Sequence, residues 1–187
     1  LADLRHLSVV TASAPETHPQ SDPAIVARVA AGDRDALGAL YDRHAATLLG
    51  VAFRLLMSRA EAEDVVHDVF VGLPEALRRY DERGTFVSWL KRITVRVALS
   101  RIRRHETRSA ELHENIPAAQ LHDHDAAMDL DAAVAALPPA LRVVLMLREI
   151  EGYSHAEIGE MVGISVAASK VRLHRALRAL RIMLEDR

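Results

Sequence analysis

Tyr153-Ser-His-Ala-Glu-Ile-Gly-Glu-Met-Val-Gly-Ile-Ser-Val-Ala-Ala-Ser-Lys-Val-Arg-Leu-His-Arg-Ala-Leu-Arg-Ala-Leu180 reads as two helices joined by a tight turn. Ser154-His155-Ala156-Glu157 has the spacing of a capping box, in which hydroxyl and carboxylate each satisfy a free backbone donor, so a helix starts there. Ile158, Met161 and Val162 share one face of it. Gly163 follows as the residue most able to take the left-handed conformation that ends a helix, and Ser165 is placed to cap the next one. In that second helix Leu173, Leu177, Leu180 and Leu184 recur at helical spacing as a packing stripe. Val171, Arg175 and Arg178 point the other way, flanked by Lys170, Arg172, His174 and Arg181. A glycine turn between two short helices, the second with a basic outer face, is the geometry that lays a recognition helix in the major groove of DNA. A helical hairpin with a solvated basic face has the same local pattern, so the rest of the chain has to decide between them.

Upstream, helical periodicity continues. Ser21-Asp22-Pro23 marks a helix start with Asp22 as candidate cap, Ile25, Val26 and Val29 follow, and Gly32-Asp33 breaks and recaps the chain. From Arg34 to Met57, Leu37, Leu40, Tyr41, Leu48, Val51, Leu55 and Leu56 predict a long helix with one buried face. A third helix is expected from about Arg59 to Arg79, with Val66, Val69, Phe70, Leu73 and Leu77 inside and Glu63, Asp64, His67, Asp68 and Glu75 more exposed. Pro74 predicts a kink or break in it. A fourth helix, roughly Thr85 to Arg104, interleaves Phe86, Trp89, Leu90, Ile93, Val97 and Leu99 with basic residues. Periodicity then lapses until Ala126, and helices are expected again from Leu130 to Leu137 and from Ala140 to about Ile150. No strand signal appears, so the expectation is an all-α protein of two small helical domains. Its parts are a loose tail over 1–20, one domain over 21–105, a flexible acidic linker over 106–129 and a second domain over 130–187.

Composition narrows the function classes. Half of the 187 residues are hydrophobic, enough for a core in each domain, and aromatics are few. With no cysteine, disulfides and thiolate metal sites are excluded. No uninterrupted apolar run is long enough to span a bilayer, and the N-terminus lacks the basic start of a signal peptide, so no membrane contact is expected. The net charge of −2 looks unsuited to DNA, yet the charge is segregated. From Arg83 to Arg104 the chain has Arg83, Lys91, Arg92, Arg96, Arg101, Arg103 and Arg104 and no acid, while from His105 to Leu130 acids dominate. Charge of each sign has its own address, which implies several partners or surfaces. No nucleophile with a general base, no paired acids in a cleft-like context and no glycine-rich phosphate loop occurs, so no catalytic residues, cofactor or enzymatic activity are expected. His113, Glu114, His122, Asp123, His124 and Asp125 cluster in the linker, but without a rigid frame or ligand spacing they predict no metal site.

Four motifs stand in a familiar order: Ala62-Glu-Asp-Val-Val-His-Asp-Val-Phe70, Arg79-Tyr-Asp-Glu-Arg-Gly-Thr-Phe-Val-Ser-Trp-Leu-Lys-Arg-Ile93, Leu137-Pro-Pro-Ala-Leu-Arg-Val-Val-Leu-Met-Leu-Arg148 and Glu151-Gly-Tyr-Ser-His-Ala-Glu-Ile158. Together, over about 24–184, they resemble the extracytoplasmic-function sigma factors of bacterial RNA polymerase, built from sigma-70 regions 2 and 4. The resemblance implies a factor that binds core polymerase in the cytoplasm and directs initiation at promoters, with an anti-sigma protein as further partner. It implies core-polymerase binding by Asp64, Val65, Asp68 and Val69, with Phe70 packing inward. It implies minus-10 recognition and strand opening by the loop from Tyr80 through Arg83 to Thr85, with Lys91, Arg92, Arg96 and Arg103 on phosphates. Trp89 and Phe86 could stack on bases or be core. For the minus-35 element it implies Ser154 in the helix-turn-helix, Lys170, Val171, His174 and Arg175 facing bases, and Arg172 and Arg178 nearer phosphates. The linker would thread the polymerase cleft.

Departures from the family pattern are also legible. Val95-Arg-Val-Ala-Leu-Ser-Arg101 stands where Arg-Asn-Leu-Ala-Leu-Asp-Arg is usual, so Arg96 replaces the common Asn and Ser100 the common Asp. Ala167-Ala-Ser-Lys-Val-Arg172 stands for Gly-Thr-Val-Lys-Ser-Arg, which puts polar Ser169 at a normally apolar packing position. Two other readings remain: a stand-alone helix-turn-helix regulator, which leaves the acidic helix unexplained, and a sigma-like decoy, which only transcription would distinguish.

Overall fold

A computed structural model describes residues 22–80, 85–112 and 130–185. Eight α-helices occur among them: α1 Asp22–Ala30, α2 Arg34–Leu56, α3 Arg59–Leu77, α4 Phe86–Leu112, α5 Leu130–Ala136, α6 Pro139–Leu145, α7 His155–Val162 and α8 Val166–Glu185. No strand is present among the described residues, as the periodicity predicts. The chain divides into two compact units, with the division between Ala98 and Leu99, inside α4.

In the first unit α1, α2 and α3 pack pairwise. Leu40, Leu48 and Leu55 of α2 meet Ile25 and Val29 of α1 and Val65, Phe70 and Leu73 of α3 in one buried set. Each such side chain contributes roughly 1.5–3 kcal/mol by leaving water. Asp33 caps α2, its carboxylate accepting from the N–H groups of Asp35 and Ala36, and Arg28 pairs with the same carboxylate. Those bonds hold Asp33 below the usual carboxylate pKa. Asp22, expected as a cap, lies inside α1 and pairs with Arg43 and His44 of α2. Its side chain therefore staples two helices together.

Several local expectations are corrected. Tyr41, expected inside, is 46% exposed and lies tilted on the buried Phe70 ring. The helix does not break at Pro74 but runs on to Leu77. Proline there removes one donor and crowds the Phe70 carbonyl about one turn from the C-terminus, and the helix continues with Leu73 and Leu77 buried. Helix α4 reaches Leu112, eight residues past the expected Arg104, because nothing from His105 to Leu112 is a glycine or proline. Its buried line is Phe86, Leu90, Thr94, Val95, Ala98 and Leu99, while Trp89, Ile93 and Val97 are half-buried. Thr94 is tolerated inside because its hydroxyl donates to the Leu90 carbonyl at 3.0 Å. The linker over 113–129, with its histidines and acids, lies outside the described residues.

In the second unit α8 packs against α5, α6 and α7. The expected helix from Ala140 to Ile150 begins at Pro139 and changes at Met146 into a five-residue π-helical turn, Met146–Ile150. Met146 and Leu147 are buried within that turn. Pro138 and Pro139 carry no N–H and cannot cap α5 from ahead. Arg142, 8% exposed, reaches back instead and donates to the carbonyls of Ala135 and Leu137, both at 3.0 Å.

Candidate nucleic-acid interface

The helix-turn-helix forms where the sequence places it. Ser154 caps α7: its Oγ accepts from the Glu157 N–H at 3.2 Å, and the Ser154 N–H donates to the Glu157 carboxylate at 2.9 Å, completing the capping box. Ser154, expected at DNA, thus spends its side chain on the cap. Gly163 ends α7 with φ +77°, and the Ser165 hydroxyl accepts from the Ala168 N–H to start α8. The turn is so tight that a Cβ on Gly159 would come within 2.7 Å of the Ile164 carbonyl oxygen. Glycine there is a packing requirement that its sequence position did not announce.

On α8 the buried line is Ser169, Ala176 and Leu180, with Leu173, Leu177 and Leu184 half-buried beside it. The packing face is therefore turned from the predicted leucine stripe toward Ser169 and Ala176. Lys170, Val171, His174, Arg175, Arg178 and Arg181 are exposed, and Arg172 lies half-buried on the flank. The predicted reading face is thus an outward surface of one helix. Ser169, polar where a hydrophobic residue is usual, is fully buried and hydrogen-bonded through Oγ to His155 Nδ1 at 3.0 Å. Desolvation, with Arg148 and Lys170 nearby, holds His155 below the ordinary histidine pKa.

The candidate single-strand surface lies on α4. Arg92, Arg96 and Arg103 are exposed at i, i+4 and i+11, one face of the helix, while Lys91 is half-buried. Tyr80 and Thr85 flank 81–84, and Arg83 lies outside the described residues. Tyr80 stands edge-on to Phe86 at 5.7 Å and tilted on Trp89 at 4.7 Å between centroids. Phe86 is buried and belongs to the core, whereas Trp89 is half-buried between Tyr80 and Phe86. Behind them His44 meets Phe86 edge-on at 5.6 Å. The two stems of the loop are therefore clasped by one aromatic cluster that rests on α2.

The acidic helix is corrected in detail. Val65 and Val69, expected on a docking face, are 0% and 3% exposed and form part of the core. The outward line of α3 is Asp64, His67, Asp68, Val71 and Glu75, and Val71, at 67% exposure, is its apolar centre. Val71 was legible from its helical register beside the acids. Among the described residues no helix is long and apolar enough to cross a membrane.

The Sigma-70 region 2 family matches residues 40–108, and the Sigma-70, region 4 family matches residues 127–180. The ECF RNA polymerase sigma factor SigE of Mycolicibacterium smegmatis is 32% identical over 165 residues, 81% of this chain; the chain spans 64% of that relative's length. The RNA polymerase sigma factor CarQ of Myxococcus xanthus is 31% identical over 161 residues, covering 83% of this chain and 92% of CarQ. Among solved structures, CnrH in complex with the cytosolic domain of CnrY is similar at TM-score 0.55 and 27% identity, over 89% of this chain and 98% of CnrH.

Proposed function

The chain belongs to the extracytoplasmic-function sigma factors of the sigma-70 family, and from that membership we propose how its surfaces divide the work of promoter-specific initiation. The observation that carries the division is the sorting of exposed charge by helix. Acids with an apolar centre line α3, and cations line α4 and α8. An acidic, partly apolar face suits a basic protein surface and repels DNA, so α3 is the face for core polymerase, through Asp64, Asp68 and Val71. The cationic line of α4 suits phosphates of the minus-10 region, and Trp89 with Tyr80 offers flat apolar surface to an unstacked base. The outer face of α8 suits the minus-35 major groove, with Lys170, Val171, His174 and Arg175 toward bases and Arg178 toward phosphate.

The role is regulatory, and the polymerase supplies the chemistry. The same reading places the protein's work in the cytoplasm with the polymerase. CnrH is seen bound to the cytosolic domain of CnrY. By that likeness, an anti-sigma protein that covers these faces until a signal releases it is the further partner of this chain.

Reconstitution with bacterial core polymerase tests the division. Wild-type chain should form a holoenzyme and initiate from a subset of a random promoter pool. Asp64→Arg with Asp68→Arg should abolish polymerase binding without loss of helicity. Tight, specific duplex binding by the isolated chain with no affinity for polymerase would instead make it a stand-alone regulator, and polymerase binding without initiation would make it a decoy.

A further inference from the structure

We propose that the hydrogen bond between buried Ser169 and half-buried His155 sets the rotation of the recognition helix on α7, so that these two residues position the base-reading side chains without touching DNA. The inference rests on the reading of α8 as the minus-35 element helix. Helices α7 and α8 pack against each other. Ile158 of α7 and Ser169 and Ala176 of α8 are fully buried, and Gly159 sits against the Ile164 carbonyl in the turn between the helices. Apolar packing is non-directional, so it limits rotation less sharply than a hydrogen bond with a preferred angle does.

Ser169 supplies a directional contact between the two helices. It is fully buried on the inner face of α8, its backbone N–H donates to the Ser165 carbonyl in the helix, and its Oγ meets His155 Nδ1 at 3.0 Å. His155 is the first residue of α7, so the bond joins the two helices near their N-terminal ends. It is the end of α8 that carries Lys170, Val171 and His174 outward. A hydrogen bond weakens steeply with angle, so it resists rotation in a way that dispersion forces do not. With side-chain tips about 5–6 Å from the helix axis, a turn of about 20° carries a tip by roughly 2 Å. That displacement is large beside the tolerance of a base-edge hydrogen bond, whereas a flexible cation can still follow a phosphate.

Loss of the bond should therefore reduce discrimination among minus-35 sequences more than affinity for duplex. The reconstituted holoenzyme is used to select minus-35 elements from a random pool, with thermal melting and nonspecific duplex affinity measured in parallel. Ser169→Ala and His155→Phe should each lower the preference for the selected element about two- to tenfold, the range one hydrogen bond supplies. Nonspecific affinity should stay near wild type. The double variant should be no worse than either single one, because both remove the same bond. Ser169→Thr and His155→Asn, which return a hydroxyl and an amide able to pair, should recover the preference. Should Ser169→Ala melt too low to assay, His155→Phe with its His155→Asn rescue decides alone. An unchanged preference in the folded variants, or single losses that add in the double variant, overturns the proposal. Lys170→Ala is the control for the underlying reading. If it leaves selection unchanged, α8 does not read the element; if it alters selection while Ser169→Ala does not, only the positioning role fails.

Discussion

His44 shows how one side chain ties sequence-distant parts together. It is 6% exposed, 3.3 Å from the Asp22 carboxylate on α1 and edge-on to Phe86 at the start of α4. Burial pushes its pKa below the ordinary value, while Asp22 pulls the other way and only partly offsets it. With a folded-state pKa below the unfolded one, the unfolded chain takes up the proton first as pH falls. The stability from neutral His44 is thus complete above about pH 6.5 and is lost as pH drops toward the folded value. The melting temperature of the full chain should decline below about pH 6.5, and His44→Gln should flatten that decline. Parallel pH profiles for the two proteins would show that His44 does not carry the effect. A histidine among the apolar positions of α2 gave no hint of this, because both Asp22 and Phe86 reach it only in the folded bundle. The same holds for Tyr41, which shares the apolar register yet faces out, and for Val65 and Val69, whose family role suggested a surface but whose side chains fill the core.

At the scale of elements, the capping signals at Asp33, Ser154 and Ser165 held because they are local chemistry, whereas Asp22 pairs with α2 instead. Asp33, Ser154 and Ser165 each accept a backbone N–H two or three residues on, as does Ser58, whose capping role was not predicted from the sequence, and a cap needs nothing from the rest of the chain. Breaker signals were less reliable. Pro74 removes one hydrogen bond, yet α3 continues to Leu77. At Pro138-Pro139 the break is real, and its consequence is the buried Arg142 guanidinium closing α5 on the Ala135 and Leu137 carbonyls. Replacing it by an apolar residue of similar length, Arg142→Met, leaves carbonyls without their donor at about 1–3 kcal/mol each. For a small domain each kcal/mol lowers the melting temperature by roughly 4–8 °C. Differential scanning calorimetry should show a drop of that order, and Arg142→Lys should recover only part of it because ammonium lacks the planar fork. A drop below about 2 °C would mean the α5 end is closed some other way.

For the whole molecule, a net charge of −2 conceals opposite charges on separate helices. If Arg92, Arg96 and Arg103 bind phosphates, promoter binding by the holoenzyme should weaken with salt. Replacing all three by Gln should then lower the magnitude of the log–log slope by about 0.7–0.9 for each phosphate no longer neutralised. The initial polymerase association of the same variant should be unaltered. An unchanged slope would remove these side chains from the DNA. The helical class, the helix-turn-helix, the order of the motifs and the sign of charge on each helix were all legible in the residues alone, because periodicity, capping and composition act within a few positions. The packed fold was needed to establish which face of α3 and α8 is buried, that Asp22 staples α1 to α2, and that Ser169 finds His155. Those outcomes depend on which side chains meet across helices, where small differences in fit rotate a face by a fraction of a turn, and the spacing of residues along one helix does not encode them.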